Sequence, residues 1–476
     1  MRRFGRAAIS RVAVVAMVSA VVAAVGPVAV THAAPTIYTV TNTSSSASTV
    51  GSLPWAVQES NYTTPGFDRI RFNIPGAGPH TITLGGSLYL NDHVSIEGNT
   101  EPGWSASNPM IWVEGGANVA SLFILQNDPS TGRTSSGSTI MGLGMVRYTS
   151  NAITIFSGSV GNWIQNNLIG FRPNGGNVIR NSATGLPNAK TSRGIGVASS
   201  YNVIRWNTIS GVDNAVTIGL VTMQGAPYKT NSVRENYIGT DPTGKITAGY
   251  GNLGDGIFLG EGASENFLGP SNVISGNGSA GVEFFHSSNR GNVIFRNYIG
   301  LDVTGKVKLG NGELGVLLTR GATYNAIGGP FGGNFIAANT FGGISLGQST
   351  WGAASTNWVQ NNTIGLNIDG AVMGGQQVGI SINSGSRSNL VEANTIGGHS
   401  QHAVIVGDPT SKNSISNSVN NNYLGRTAAG ALVPNGSFGV MFLNAGYNYM
   451  LDNYFGTNSL GPVGVLNSPG LVLRLR

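Results

Sequence analysis

The chain contains no cysteine, so no disulfide staples it and no thiolate is available as nucleophile or metal ligand. Charge is scarce as well. Only 10% of the residues are Asp, Glu, Lys or Arg, against about 25% in ordinary domains. The formal net charge of +6 is largely a property of the N-terminus, where Arg2, Arg3, Arg6 and Arg11 stand without a single acid. Subtracting those four from the 26 lysines and arginines leaves 22, against 20 acids. That balance gives no reason to expect nucleic acid as a partner. The sequence has no G-x-S-x-G elbow, no phosphate loop and no zinc-type His/Cys spacing. After residue 33 no apolar run reaches the roughly 18 residues that a membrane-spanning helix needs.

The arginines belong to a segment that reads as a secretory signal peptide, residues 1–33. They form its basic region, Val12 to Val25 its apolar core, and Thr31-His32-Ala33 a small-x-small cleavage site. The expected location is secreted, extracellular or at the cell surface, with no transmembrane segment in the mature chain. Residues 34–120 read as an N-terminal cap with the first coils, and 121–476 as a repeat region with insertions in alternate coils. Within the cap, Thr36 to Thr41 has strand character. Gly51 to Ser60 reads as a short helix, with Ser52 as its cap and Pro54 in its first turn.

What the chain has in abundance is glycine, 72 residues of 476, and asparagine in a fixed grammar. Two asparagines five apart each open a short apolar strand, as at Asn162/Asn167, Asn202/Asn207, Asn231/Asn236, Asn292/Asn297, Asn357/Asn362, Asn389/Asn394, Asn417/Asn422 and Asn448/Asn453. Asn266/Asn272 and Asn325/Asn334 carry extra residues between the strands. A third strand precedes each pair, and its first apolar residue runs Ile153, Ile195, Val216, Ile257, Val282, Val316, Ile344, Ile380, Val404, Val440, Val465. The gaps alternate between 21 to 28 and 34 to 42 residues. The short gap holds one three-strand coil, and the long gap adds an insertion after the N-x-I-G strand. Self-similarity of this kind is the mark of a solenoid. The fold expected is therefore all-β, a right-handed parallel β-helix of about a dozen coils.

Asparagine at the corners is expected for two reasons: it tolerates the left-handed backbone of a tight bend, and its amide stacks into ladders. Asn236, Asn297, Asn362, Asn394 and Asn422 represent that ladder. Asn435, by contrast, falls in an insertion and is expected to matter little.

The chain resembles the secreted bacterial right-handed parallel β-helix repeat proteins of pectin-lyase-like architecture. The carriers are the block Gly51 to Asn61, the segment Asp68 to Pro75, the stretch Glu97 to Trp104 and the N-x-I-G-T/L-D-x-T-G-K repeats at Asn236 and Asn297. The resemblance implies a range of roles, from adhesins and autotransporter passengers to polysaccharide lyases and hydrolases.

Two sets of residues carry the functional expectation. Tyr237, Tyr298, Phe335, Tyr423 and Tyr454 occupy the outward position of the N-x-I strand, where rings can stack on sugar faces. Asp213, Asp255, Glu283 and Glu313 gather near the start of the third strand in neighbouring coils, with His286 close by, and are the acid candidates for catalysis. Glu235 and Glu392 are roughly 24 Å apart at about 4.8 Å per coil, too far for the two carboxylates of a glycosidase. Arg205 and Glu235, on adjacent coils, read as a surface ion pair. Asp241 and Asp302 open Asp-x-x-Gly turns; no metal or cofactor is expected, with calcium in the cleft of Asp213, Asp255, Glu283 and Glu313 as the alternative. The leading expectation is a non-catalytic protein for extracellular binding or adhesion to polysaccharide or a cell-surface partner. A polysaccharide lyase or glycoside hydrolase is the alternative, and a structural spacer of the envelope is the third.

Overall fold

The computed structural model describes residues 35–62, 66–116, 118–174, 177–181, 192–219, 227–409 and 413–475. The expected signal peptide, residues 1–33, lies outside them. Among the described residues the strands stack coil upon coil into three parallel sheets. The first follows the first asparagine of each pair, as in Val293–Ile294 against Ala326–Gly328. The second follows the second asparagine, as in Tyr298–Ile299 against Phe335–Ile336. The third contains 13 strands, running from Leu88–Leu90 to Gly461–Leu466. The first two sheets join where the long strand Tyr449–Phe455 pairs with both Ser418–Asn420 and Tyr423–Leu424. Parallel neighbours linked through crossovers of this kind make a right-handed parallel β-helix.

Each coil closes because its short strands alternate. Ile257 and Leu259 point into the core while Phe258 points out, and Ile274 and Ile299 fill the same interior from the second sheet. A continuous column Ile153, Ile195, Val216, Ile257, Val282, Val316, Ile344, Ile380, Val404, Val440 lies in register along the third sheet. The last coil departs from the expected spacing, since Val463 rather than Val465 lies against Val440. At the other end the helix Leu53–Tyr62 buries Leu53, Ala56 and Val57, and its first turn is capped by Ser52, whose Oγ accepts from the Trp55 N–H at 3.1 Å. The insertion that begins at Asp302 leaves the sheets and rejoins them at Leu314, the first residue of the strand Leu314–Leu318.

The reason for asparagine differs from one of the two expected. The left-handed residue is the one before each asparagine, as at Glu235 (φ 58°), Arg296 (φ 51°), Ala393 (φ 57°) and Asp452 (φ 58°), whereas the ladder asparagines are not left-handed. What asparagine supplies is its amide. Both the backbone N–H and the Nδ2 of Asn272 donate to Oδ1 of Asn297, at 3.2 and 2.9 Å, and Asn297 repeats this toward Asn334 at 3.1 and 3.0 Å. The remaining Nδ2 hydrogen of Asn297 goes to the Leu268 carbonyl of the preceding coil at 2.8 Å. One side chain thus satisfies four buried polar groups at a bend where the sheet ladder is interrupted. The same pattern runs from Asn162 to Asn448 and from Asn167 to Asn453.

A third column escaped the sequence grammar. Asn252 donates to Asn277, Asn277 to Asn311 and Asn311 to Asn339, each at 2.8 Å, at the corner before the third sheet. Asn435 belongs to this corner. It is fully buried, its Oδ1 accepts from the His399 N–H, and its Nδ2 donates to Asn458 at 2.8 Å. Its expected unimportance is therefore corrected. Asn297→Ala and Asn435→Ala should each cost on the order of 1–3 kcal/mol per polar group orphaned. Denaturant unfolding of both variants measures it, and Asn435→Ala behaving like wild type would remove the third column from the stabilising set.

Candidate functional site

The outward face of the third sheet is where the acids lie. Its central outward column runs Thr217, Phe258, Glu283, Leu317, Ser345 on successive coils. Asp255 stands two residues before the inward Ile257, where the chain enters the strand. Its N–H donates to Oδ1 of Asn214 at 2.7 Å, and its own Oδ1 accepts the Ala280 N–H at 3.0 Å. Those bonds hold the carboxyl against the next coil, where Glu283 projects from the strand Val282–Phe284.

The two carboxyls share a hydrogen bond in which Asp255 donates and Glu283 accepts. Burial, followed by the Glu283 carboxylate, holds Asp255 well above the usual carboxylate range, and Glu313 adds to this from the following coil. Burial raises Glu283 too, and Glu313 pushes the same way, while the bond from Asp255 and the charge of Arg320 pull it back. Desolvation acts in earnest because Leu317, the outward neighbour of Glu283, is itself buried.

An aromatic wall borders the pair. Phe258 precedes Glu283 in the outward column, and its ring lies 5.7 Å from Phe285, which meets Trp351 edge-on at 5.0 Å. The Arg320 guanidinium covers both Phe285, at 3.9 Å, and Trp351, at 4.6 Å. These contacts were not read from the sequence. The available signal was Phe284-Phe285, an inward and an outward aromatic in succession where the alternation would place a polar residue.

The structure sets Asp213, Asp255, Glu283 and Glu313 on four successive coils; Glu283 and Glu313 act on Asp255, whereas Asp213, one coil before Asp255, is met by Arg193 instead. Backbone bonds from Gly254 to Asp213, Ser279 to Gly254 and Glu313 to Ser279 put Asp213 three coils from Glu313, roughly 14 Å at the coil spacing. Burial raises the Asp213 carboxyl and Arg193 opposes the rise. His286 takes no part, since its Nδ1 is turned to Ser288, whose N–H donates to it at 3.1 Å.

The five aromatic candidates do not form an unbroken stripe. Val273 separates Tyr237 from Tyr298, and Thr363 and Thr395 separate Phe335 from Tyr423. Tyr423 and Tyr454 stack at 4.9 Å, and Tyr298 lies 5.8 Å from Phe335. Tyr237 and Tyr298 face the loops at Gly244 and Gly305, which close over the rings. Those loops are self-contained turns. Oδ1 of Asp241 accepts the N–H groups of Lys245 and Ile246, and Thr243 donates to Oδ2; Asp302 repeats the arrangement with Lys306, Val307 and Thr304. The expected Arg205–Glu235 pair is replaced, because Glu235 meets Arg234 of its own strand end at 2.8 Å while Arg205 turns onto two indoles.

The raised acids have a consequence for stability. The folded chain keeps protons that the unfolded chain releases above the ordinary values of 3.8 and 4.5. The pair therefore contributes stability that is complete below those values and is lost as pH rises through the folded values. Relative to Asp255→Asn, the wild type should melt lower at neutral pH and regain ground steadily as the pH is lowered. Thermal melts of both proteins across that range check it, and a constant difference would contradict the shared proton.

No family model matches the chain, and no curated protein matches it in sequence. Among solved structures, the A-module of the Azotobacter vinelandii mannuronan C-5 epimerase AlgE4 is 12% identical, with 88% of this chain and 94% of that chain covered at a TM-score of 0.48. The Dettilon tailspike protein is 15% identical over 90% of this chain and 68% of that one, at 0.49. The tailspike protein of E. coli bacteriophage HK620, in complex with a pentasaccharide, is 10% identical over 87% and 74%, also at 0.49. Such distances say nothing of activity, and the fold stands on the register of the coils themselves. With three parallel sheets, in-register apolar columns and corner amide ladders, the chain folds as a right-handed parallel β-helix.

Proposed function

We propose that the protein is exported and acts on a polysaccharide, which lies across the outward face of the third sheet over Asp255, Glu283 and Glu313. The observation that carries this reading is the juxtaposition of two carboxyls, Asp255 buried and Glu283 half-buried, on neighbouring strands of a face that would otherwise be solvated. Burying such a pair costs stability, and perturbed acids in a defined setting are a mark of functional sites. Phe258, Phe285 and Trp351 beside them offer the apolar faces on which pyranose rings stack. Arg320 offers donors to hydroxyl oxygens.

The chemistry that fits is acid-catalysed glycosidic cleavage. Asp255, whose carboxyl burial and Glu283 push toward the protonated form, is placed to give a proton to the leaving oxygen as the C–O bond breaks. Water adds to the anomeric carbon, and its proton passes to a carboxylate, for which Glu313 stands two coils from Asp255, roughly 10 Å at the coil spacing. This promotes the enzymatic alternative over a purely adhesive role. Adhesion remains the second reading, favoured by the stacked Tyr423 and Tyr454 on the second sheet.

The test is a panel of soluble polysaccharides incubated with pure mature protein, scored for both retention and time-dependent release of oligosaccharides. Release by the wild type is expected, with a loss of about 100-fold or more in Asp255→Asn, since the amide keeps the shape but has no acidic proton to give. Retention without release, unchanged in Asp255→Asn, would leave the adhesive reading in its place.

A further inference from the structure

At the start of the repeat region, on the first sheet and away from the acids, Arg205 lies between two indoles. Its guanidinium carbon is 4.6 Å from the Trp163 ring centroid and 3.8 Å from that of Trp206. Its Nε donates to Oε1 of Gln165 at 2.9 Å, which fixes the plane of the group. Arg234 follows Arg205 in register on the next coil, and its charge is taken by Glu235 at 2.8 Å. Among the described residues no carboxylate lies within ion-pair distance of Arg205. Two guanidinium groups thus stand one coil apart with a single acid between them.

Trp206 adds an independent observation. It occupies the left-handed corner slot, with φ 55°, which the neighbouring coils give to Asn166 and Glu235 and later ones to Ala393 and Asp452. The other corner carries rings in the same slot at Tyr201, Tyr324 and Tyr447, but on this corner the remaining left-handed residues carry none, so the bend itself does not require an indole. Trp206 is 45% exposed. Core burial does not account for an indole there.

We infer that Trp163, Arg205 and Trp206 form a binding site for an acidic polysaccharide, in which Arg205 meets a sugar carboxylate and the indoles take the faces of the adjoining rings. The guanidinium supplies a planar pair of donors matched to a carboxylate, and indoles stack on apolar sugar faces. Burial and the neighbouring Arg234 both work against the charge of Arg205, with Glu235 partly offsetting them, so an anion arriving there is favoured. The site goes beyond the acid-pair reading and does not depend on it, being on a different sheet.

The experiment is affinity electrophoresis of the mature protein in gels containing polygalacturonate, carboxyl-reduced polygalacturonate or dextran. The variants borrow residues the fold already uses in equivalent places: Arg205→Gln, after Gln165 of the same column, and Trp206→Asn, after Asn166. Retardation of the wild type by polygalacturonate alone is expected, weakening with salt. Arg205→Gln should weaken it about tenfold, the equivalent of one charge-assisted hydrogen bond. Trp206→Asn should also bind less while melting no lower than wild type. Arg387→Gln, which removes an exposed charge on a distant coil, should bind as wild type does, which separates this site from a general effect of charge. No retardation of the wild type, equal retardation by the carboxyl-reduced polymer, or unchanged binding by Arg205→Gln would overturn the inference.

Discussion

One interaction governs the rest: a carboxamide oxygen that accepts two N–H donors from the coil before it. At a corner the backbone leaves the sheet ladder, and its polar groups would be buried without partners. A buried amide without a partner costs about as much as several buried methyl groups stabilise. The corner asparagine resolves this at every turn with one side chain, and the apolar columns stack only because the corners hold the coils in register. Repetition then follows of necessity, since each amide needs an identical one beneath it. This is why a chain without a disulfide, and with few ion pairs, sustains a long continuous core.

The asparagine spacing made the first two sheets legible from sequence, and the alternating gaps made the third sheet and its insertions legible. The capping helix was readable for the same reason, through Ser52 and Pro54. The left-handed residues were not, because many residue types fill that slot and no spacing marks them. The third ladder stayed hidden because its members sit in insertions of unequal length, and because His399 stands at a corner where Asn would fit the pattern. His399 itself is buried, which lowers its pKa to about 4 and keeps it neutral where most proteins work.

The candidate site was legible as a group and not as a geometry. That Asp255, Glu283 and Glu313 fall on neighbouring coils follows from register, and so does the distance of Asp213. That Asp255 is turned against Glu283 and desolvated does not, because it depends on Ala280 occupying one carboxyl oxygen and on Leu317 closing the outer side. The aromatic wall depends on Trp351, which arrives from an insertion loop and has no fixed place in the repeat. Side chains fixed by the repeat were predictable, whereas those delivered by insertions were not.

The amide ladders also have a direction. Each Oδ1 faces the preceding coil and receives from it, as Asn297 receives from Asn272 and gives to Asn334. Losing one rung therefore harms its two neighbours unequally. The coil before it is left with two N–H groups that have nowhere to go, while the coil after it keeps an oxygen that has lost one of its two donors and still accepts the backbone N–H. Orphaned donors are tolerated less well than under-used acceptors, so opening should spread toward the N-terminus from any broken rung. In a stack whose coils otherwise look interchangeable, the side-chain amides give unfolding a polarity that neither the backbone repeat nor the apolar core possesses.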